Sequence, residues 1–159
     1  MAEADVIRLP AGLDLRQAAM IRINPPTALL MLTDLVPLKA GDWIMQNAAS
    51  SVVGRLVIAF AKARGIKTIN VVRRAETIPE LAAPGGDVCL VDGPDLASRA
   101  RAAAGGIDIR LAIDAVAGDA TARLAPAAAW MEVQVPRHSQ LPKAALNRLP
   151  HREGRLRMD

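Results

Sequence analysis

Four short apolar runs separated by helix-length stretches constrain this chain more than any other feature of it. Trp43–Gln46, Lys67–Val72, Val88–Val91 and Leu111–Ala115 read as strands, the second rich in β-branched residues. Between them, 52–64, 78–83 and 96–104 read as helices, and a last helix starts near Gly118 or Asp119 and runs to about Leu124. Strands that are apolar along their length are covered on both faces, and crossovers of this size join parallel neighbours. The pattern is therefore α/β, a Rossmann-like doubly wound parallel sheet. Right-handed crossovers put the strand C-termini, and any ligand site, along one edge.

The two ends of the chain depart from this rhythm. Pro10 and Gly12 break residues 5–15 into a loop, and a short helical stretch follows over 15–22. Pro25 and Pro26 disfavour helix at Asn24, whereas Pro26 can open a helix through Leu29, Leu30, Leu32 and Leu35. After Leu124 come Pro126, Pro136, Pro142 and Pro150 with no strand pattern and only a short helical attempt over 143–149. The sheet is thus expected to be incomplete and the tail poorly structured.

Composition excludes several functions. With 159 residues, 52% of them hydrophobic, the chain can fill one core. Its aromatic residues are Phe60, Trp43 and Trp130, and it has no Tyr. The net charge of +4 sits at the end: fourteen Lys and Arg face thirteen Asp and Glu in residues 1–124, and six face three in 125–159. A nucleic-acid binder using Arg137, Lys143, Arg148, Arg152, Arg155 and Arg157 would lack aromatic interleaving and any known motif, so that reading is disfavoured. Cys89, the single cysteine, lies in an apolar run and reads as a small hydrophobe. Together with His138 and His151 it offers no metal site. No apolar run is long enough to cross a bilayer, and Glu3 and Asp5 stand where a signal peptide would be basic, so a cytoplasmic protein without membrane contact is expected.

The segment after the first strand carries the chemistry. In Gln46-Asn47-Ala48-Ala49-Ser50-Ser51-Val52-Val53-Gly54-Arg55, small residues let backbone N–H groups at a helix N-terminus approach a pyrophosphate. Gly54 fits the third glycine of a G-x-G-x-x-G turn, where helix and strand pack closely, although Ala49 and Ser51 replace the first two. An ordinary capped helix accounts for this stretch as well. The second signal is Arg73-Arg74, ending the second strand about twenty residues on. Such a position takes Asp or Glu to hold a ribose 2′-hydroxyl, whereas a guanidinium suits a 2′-phosphate, which points to NADP(H).

These residues also carry a resemblance. Ile23-Asn24-Pro25-Pro26-Thr27-Ala28, Met31-Leu32-Thr33-Asp34, Gly41-Asp42-Trp43-Ile44, Gln46-Asn47-Ala48, Val53-Gly54 and Lys67-Thr68-Ile69-Asn70-Val71-Val72-Arg73 are similar to the zinc-independent medium-chain dehydrogenase/reductases. Within that superfamily they resemble the NADPH-dependent 2-enoyl thioester (enoyl-CoA and enoyl-acyl-carrier-protein) reductases of fatty acid metabolism. The resemblance spans 5–124, about three quarters of the chain but half or less of a family enzyme. It implies that Asn24 lies near the nicotinamide, that Ser50, Ser51, Val52 and Val53 line the pyrophosphate turn, and that Arg73, Arg74 and Ala75 lie at the 2′-phosphate. Ser50 stands where the family usually has Asn, Val52 replaces a small residue, and the family's Arg-Asp-Arg is Arg73-Arg74-Ala75. The resemblance further implies hydride transfer from NADPH to the β-carbon of an enoyl thioester, assisted by a tyrosine of an N-terminal catalytic domain. This chain has no tyrosine and is expected to begin after that domain, so no catalytic residue is nominated.

The organisation expected is a lead-in at 1–40, a partial NADP-binding unit at 41–124 and a basic, Pro-rich tail at 125–159. The function expected is that of a nucleotide-binding fragment of the reductase, inactive alone, which meets the enoyl thioester only in the parent enzyme and can form homo-oligomers. Alternatives are a non-catalytic module pairing with a full-length subunit through an exposed sheet edge, or a quinone-reductase-like or alcohol-dehydrogenase-like member of the same superfamily.

Overall fold

The computed structural model describes residues 11–129 and 131–133. The expectation of a poorly structured tail therefore lies, beyond residue 133, outside the described residues, as do His138 and His151.

Five parallel strands form one sheet: β1 (Trp43–Gln46), β2 (Lys67–Val72), β3 (Val88–Val91), β4 (Ile109–Asp114) and β5 (Met131–Val133), in the order β3-β2-β1-β4-β5. The order reverses direction at β1, which pairs with β2 on one side and β4 on the other. In open α/β sheets a ligand crevice lies beyond the strand C-termini at such a switch point. The doubly wound fold read from the sequence is borne out.

Alternation of side chains across the sheet fills two cores. Ile44, Leu111 and Ile113 face α2 (Asn24–Thr33) and α3 (Val52–Ala63), meeting Ala28, Leu32, Val57 and Ala61. Met45, Ile69, Val71 and Ala112 face the opposite layer, built from α5 (Leu96–Ala103) and α6 (Asp119–Leu124) through Leu96, Ala100 and Leu124. Ile109 and Leu111, two apart, lie in different cores. The register shift between Trp43↔Ile109 and Ile44↔Leu111 explains this, since the irregularity inserts Arg110 and flips the alternation.

Under α3 the sheet is polar but satisfied. Gln46 Nε2 donates to Gly54 O at 3.0 Å and to Asn70 Oδ1 at 2.9 Å, and Asn70 Nδ2 donates to Thr68 Oγ1 and Val88 O. Both amide side chains are buried, so each hydrogen bond also removes a desolvation cost. The network ties α3 to β1, β2 and β3.

Three details differ from the sequence reading. The helix α2 starts at Asn24, which the two prolines were expected to keep out of helix, and it ends at Thr33 rather than reaching Leu35. The first helical turn has no intrahelical donors to lose, so prolines fit there, and Thr27 closes the turn through its N–H and hydroxyl, both donating to Ile23 O. β4 begins two residues earlier than expected, at Ile109, across the exposed Arg110. After Leu124, where no strand was expected, β5 pairs with Ala112–Asp114 of β4. The remaining helices are α1 (Leu15–Ile21) and the short α4 (Ile78–Ala82).

Because α2 packs into the same core as β1 and β4, Leu32→Ala should lower unfolding free energy by about 2–4 kcal/mol. Urea denaturation followed by circular dichroism measures this, and a loss below about 0.5 kcal/mol would mean that α2 is not part of the core.

Candidate functional site

The turn after β1 is held by both neighbouring strands. Asn47 N donates to Ile113 O of β4 and Ala49 N to Val71 O of β2, while Ala48 adopts φ +47° between them. A left-handed alanine costs about 1–2 kcal/mol, a strain the flanking bonds maintain. Ser51 then caps α3, its Oγ accepting from Gly54 N at 3.1 Å. A Cβ built on Gly54 would lie 2.6 Å from Ala49 O and 2.9 Å from Ala48 O, so only glycine lets the helix sit this close to the turn. The third-glycine role expected of Gly54 is what the packing requires. The first-turn N–H groups of Val52 and Val53 have no acceptor within their own helix.

A cleft of about 710 Å³ opens at the C-terminal edge of the sheet. Ser50 and Ser51 form one wall, Val71, Val72 and Arg73 a second, and the loop 115–117 after β4 a third. Thus the structure brings the β1 turn and the guanidinium ending β2 to one space, as the register of the two motifs predicts. Arg73 is exposed, and among the described residues none forms an ion pair or hydrogen bond with its guanidinium. Asn24 and Val52 stand elsewhere, in an adjoining groove of about 670 Å³ with Pro25, Arg55 and Leu56. Val53, Arg74 and Ala75 line neither space. In α3 the side chain of Val53 turns into the α2 core, and beyond Arg73 the chain leaves the sheet edge into a short 3₁₀ turn over Ala75–Thr77.

Sequence reasoning missed two polar anchors. Asp114 ends β4 fully buried and accepts from Asn47 Nδ2, from Val116 N at 2.9 Å, from Ala117 N at 3.1 Å and from Thr121 Oγ1. Asn47 Oδ1 accepts from Ala115 N at 2.7 Å, so these two side chains shape the whole loop after β4. Asp92, just beyond β3, is gripped by Arg123 of α6, with Nε–Oδ1 2.8 Å and a terminal guanidinium nitrogen 2.6 Å from Oδ2. That bidentate hydrogen bonding holds the Asp92 carboxyl below the usual carboxylate range against an opposing effect of burial. The available signal was position, since each acid immediately ends or follows an apolar parallel strand. Burial pushes the Cys89 thiol up, in keeping with a small hydrophobe. Among the described residues, no group of three or more His, Cys, Asp or Glu could hold a metal ion, and no helix is long and apolar enough to cross a membrane.

No protein-family model matches the sequence. Curated relatives do: it is 36% identical over 126 residues to a mitochondrial enoyl-[acyl-carrier-protein] reductase of Caenorhabditis elegans, covering 77% of this chain and 36% of the relative. With the mitochondrial enoyl-[acyl-carrier-protein] reductase of Dictyostelium discoideum it shares 44% identity over 91 residues, 55% of this chain and 26% of the relative. The chain thus spans about a third or less of these relatives. Among solved structures, the Etr1p/NADP/crotonyl-CoA complex superposes with a TM-score of 0.64 at 26% identity, over 80% of this chain and 42% of that one. The resemblance to enoyl thioester reductases read from the sequence is borne out. The expectation of a cytoplasmic protein is overturned, because these relatives are mitochondrial enzymes. Glu3 and Asp5, on which it rested, open a sequence that spans only part of such enzymes and so say nothing about a leader.

Two outcomes check the site's architecture. Gly54→Val should cost at least about 3 kcal/mol, since the turn backbone cannot yield, and thermal unfolding reads it. Asp92 has a depressed folded pKa, so its stabilisation is present above the ordinary carboxylate pKa and is lost as pH falls through the lower folded value. Asp92→Asn should therefore be less stable than wild type at neutral pH, with the gap closing in acid. A gap unchanged down to the acid limit would contradict the pairing.

Proposed function

We propose that this chain, a relative of the enoyl thioester reductases of the medium-chain dehydrogenase/reductase superfamily, is an NADPH-binding portion of such an oxidoreductase. The observation that carries the reading is the shared cleft: the Gly54-dependent turn at Ser50–Ser51 and the guanidinium of Arg73, without a partner among the described residues, open on one space. The relevant chemistry fits a phosphorylated dinucleotide. Orphan N–H groups of Val52 and Val53, with the dipole of the twelve-residue α3, favour a pyrophosphate. Arg73 offers a planar fork to a 2′-phosphate.

The second groove continues from the same helix terminus. Ser51 borders the first space and Val52 the second, so a dinucleotide laid across the α3 N-terminus would direct its nicotinamide half toward Asn24. Here Ser50, Ser51, Val52 and Val53 bind the pyrophosphate, Arg73 takes the 2′-phosphate and Asn24 orients the nicotinamide end. Arg74 and Ala75 are set outside the cleft; Arg74 rests on its place beside Arg73 at the end of β2 and on the sequence resemblance, and Ala75 on the resemblance alone.

In the parent enzyme, NADPH held by these residues would supply hydride to the 2,3 double bond of an enoyl thioester. What this chain's residues do is narrower: they hold and orient the cofactor. Its sequence has no Tyr to assist protonation and spans about a third or less of the enzymes it resembles, so the reading includes no turnover by this chain alone.

Isothermal calorimetry with NADPH and NADH tests the binding. The phosphorylated cofactor should bind at least about 10-fold tighter, and Arg73→Ala should remove most of that margin while leaving NADH nearly unchanged. Crotonyl-CoA with NADPH should give no absorbance loss at 340 nm. Equal affinities for the two cofactors would refute the Arg73 assignment, and steady NADPH consumption would refute the inactive-portion reading.

A further inference from the structure

A carboxylate stands beside the Arg73 site, where a phosphate would be repelled. In the register of the sheet Val72 pairs with Val91, so Arg73 and Asp92 leave neighbouring parallel strands side by side. Asp92 N also donates to Val72 O at 2.8 Å, which fixes the two backbones against each other. Both residues line the same cleft. Strands of one sheet lie about 4.8 Å apart, within reach for an Arg73–Asp92 ion pair. No such pair forms. The Asp92 carboxylate is instead held by Arg123, both oxygens engaged at 2.8 and 2.6 Å, while Arg73 has no described partner.

We infer that Arg123 determines preference for the phosphorylated cofactor by neutralising Asp92 and holding it away from Arg73. This rests on the NADPH-binding reading above. Arg123 acts through Asp92 and is a positioning residue. Without it, the bare carboxylate has two outlets, and both oppose a 2′-phosphate: it pairs with Arg73 and quenches that guanidinium, or it remains free and repels the ligand. A 2′-hydroxyl, uncharged, is not repelled and can donate to the carboxylate. The other charged groups nearby leave this logic intact. Arg99 donates to Val91 O at 2.9 Å and adds positive potential at Asp92 without bonding its oxygens, and Asp119 adds negative potential at Arg123.

The experiment compares NADPH and NADH affinities by calorimetry for the full chain and three variants, each checked for folding by circular dichroism. Two unit charges several ångströms apart near a surface interact strongly enough to change an affinity by about 5–10-fold. Arg123→Gln should therefore lose about 5–10-fold in NADPH affinity and change NADH affinity less than about 2-fold. The double variant Asp92→Asn/Arg123→Gln should recover the wild-type ratio, and Asp92→Asn alone should keep or raise it. Equal losses for both cofactors in Arg123→Gln, or an unchanged ratio, would overturn the inference while leaving NADPH binding itself intact. If Arg123→Gln does not fold, a reduced NADPH preference in Asp92→Asn or in the double variant overturns the inference, and a preserved one supports it. No NADPH binding by the wild type would overturn the functional reading and this inference together.

Discussion

The structure turns on how closely α3 approaches the end of β1. The approach is set at Gly54, whose missing side chain leaves room for the Ala48 and Ala49 backbone. Everything at the sheet edge follows from that distance. With the helix so near, its first turn opens directly beyond the strands, and the left-handed Ala48 redirects the chain from strand to helix within five residues. The buried bond from Gln46 to Gly54 O locks the same contact from beneath, and Asn70 joins it to β2, the strand that delivers Arg73. One packing constraint thus fixes both the helix terminus and the guanidinium opposite it.

Much of this was legible because local pattern and tertiary structure agree. The spans of β1, β2 and β3 match the apolar runs residue for residue, since those runs are short and polar residues end them at Asp42 and Asn47, at Arg73, and at Asp87 and Asp92. Agreement failed where tertiary pairing decided the outcome. β5 is three residues long and contains Glu132, and only its partner β4 makes it a strand. β4 itself starts before an exposed arginine, where the irregular register against β1 breaks the apolar run. The helix at Asn24 tells the same lesson in reverse, because the steric bias against helix in a residue before proline is a local preference that the packing of α2 on the sheet overrides.

The site was legible by half. Small residues, a third glycine and a guanidinium at the end of the second strand identify two walls of the cleft from spacing alone. The third wall was not readable, because Asp114 and Asn47 are 67 residues apart and become partners only when β1 and β4 lie side by side. Asp92 and Arg123 are likewise 31 residues apart and meet across the edge of the sheet. In both pairs a carboxylate at a strand end is satisfied by a side chain from another element, and at Asp92 that side chain is a guanidinium that neutralises it. On that edge Arg73 is left as a guanidinium without a partner among the described residues, and the exposed Asp119 lines the same cleft.

The Arg73 guanidinium and the α3 turn are thus assigned the 2′-phosphate and the pyrophosphate of one phosphorylated dinucleotide. Phosphorus NMR of NADP+ titrated with the chain tests that assignment most directly, because the 2′-phosphate and the pyrophosphate give separate resonances. Both should shift on binding in the wild type, and only the pyrophosphate should shift with Arg73→Ala. A 2′-phosphate response that survives loss of Arg73, or a pyrophosphate that does not respond at all, would contradict it.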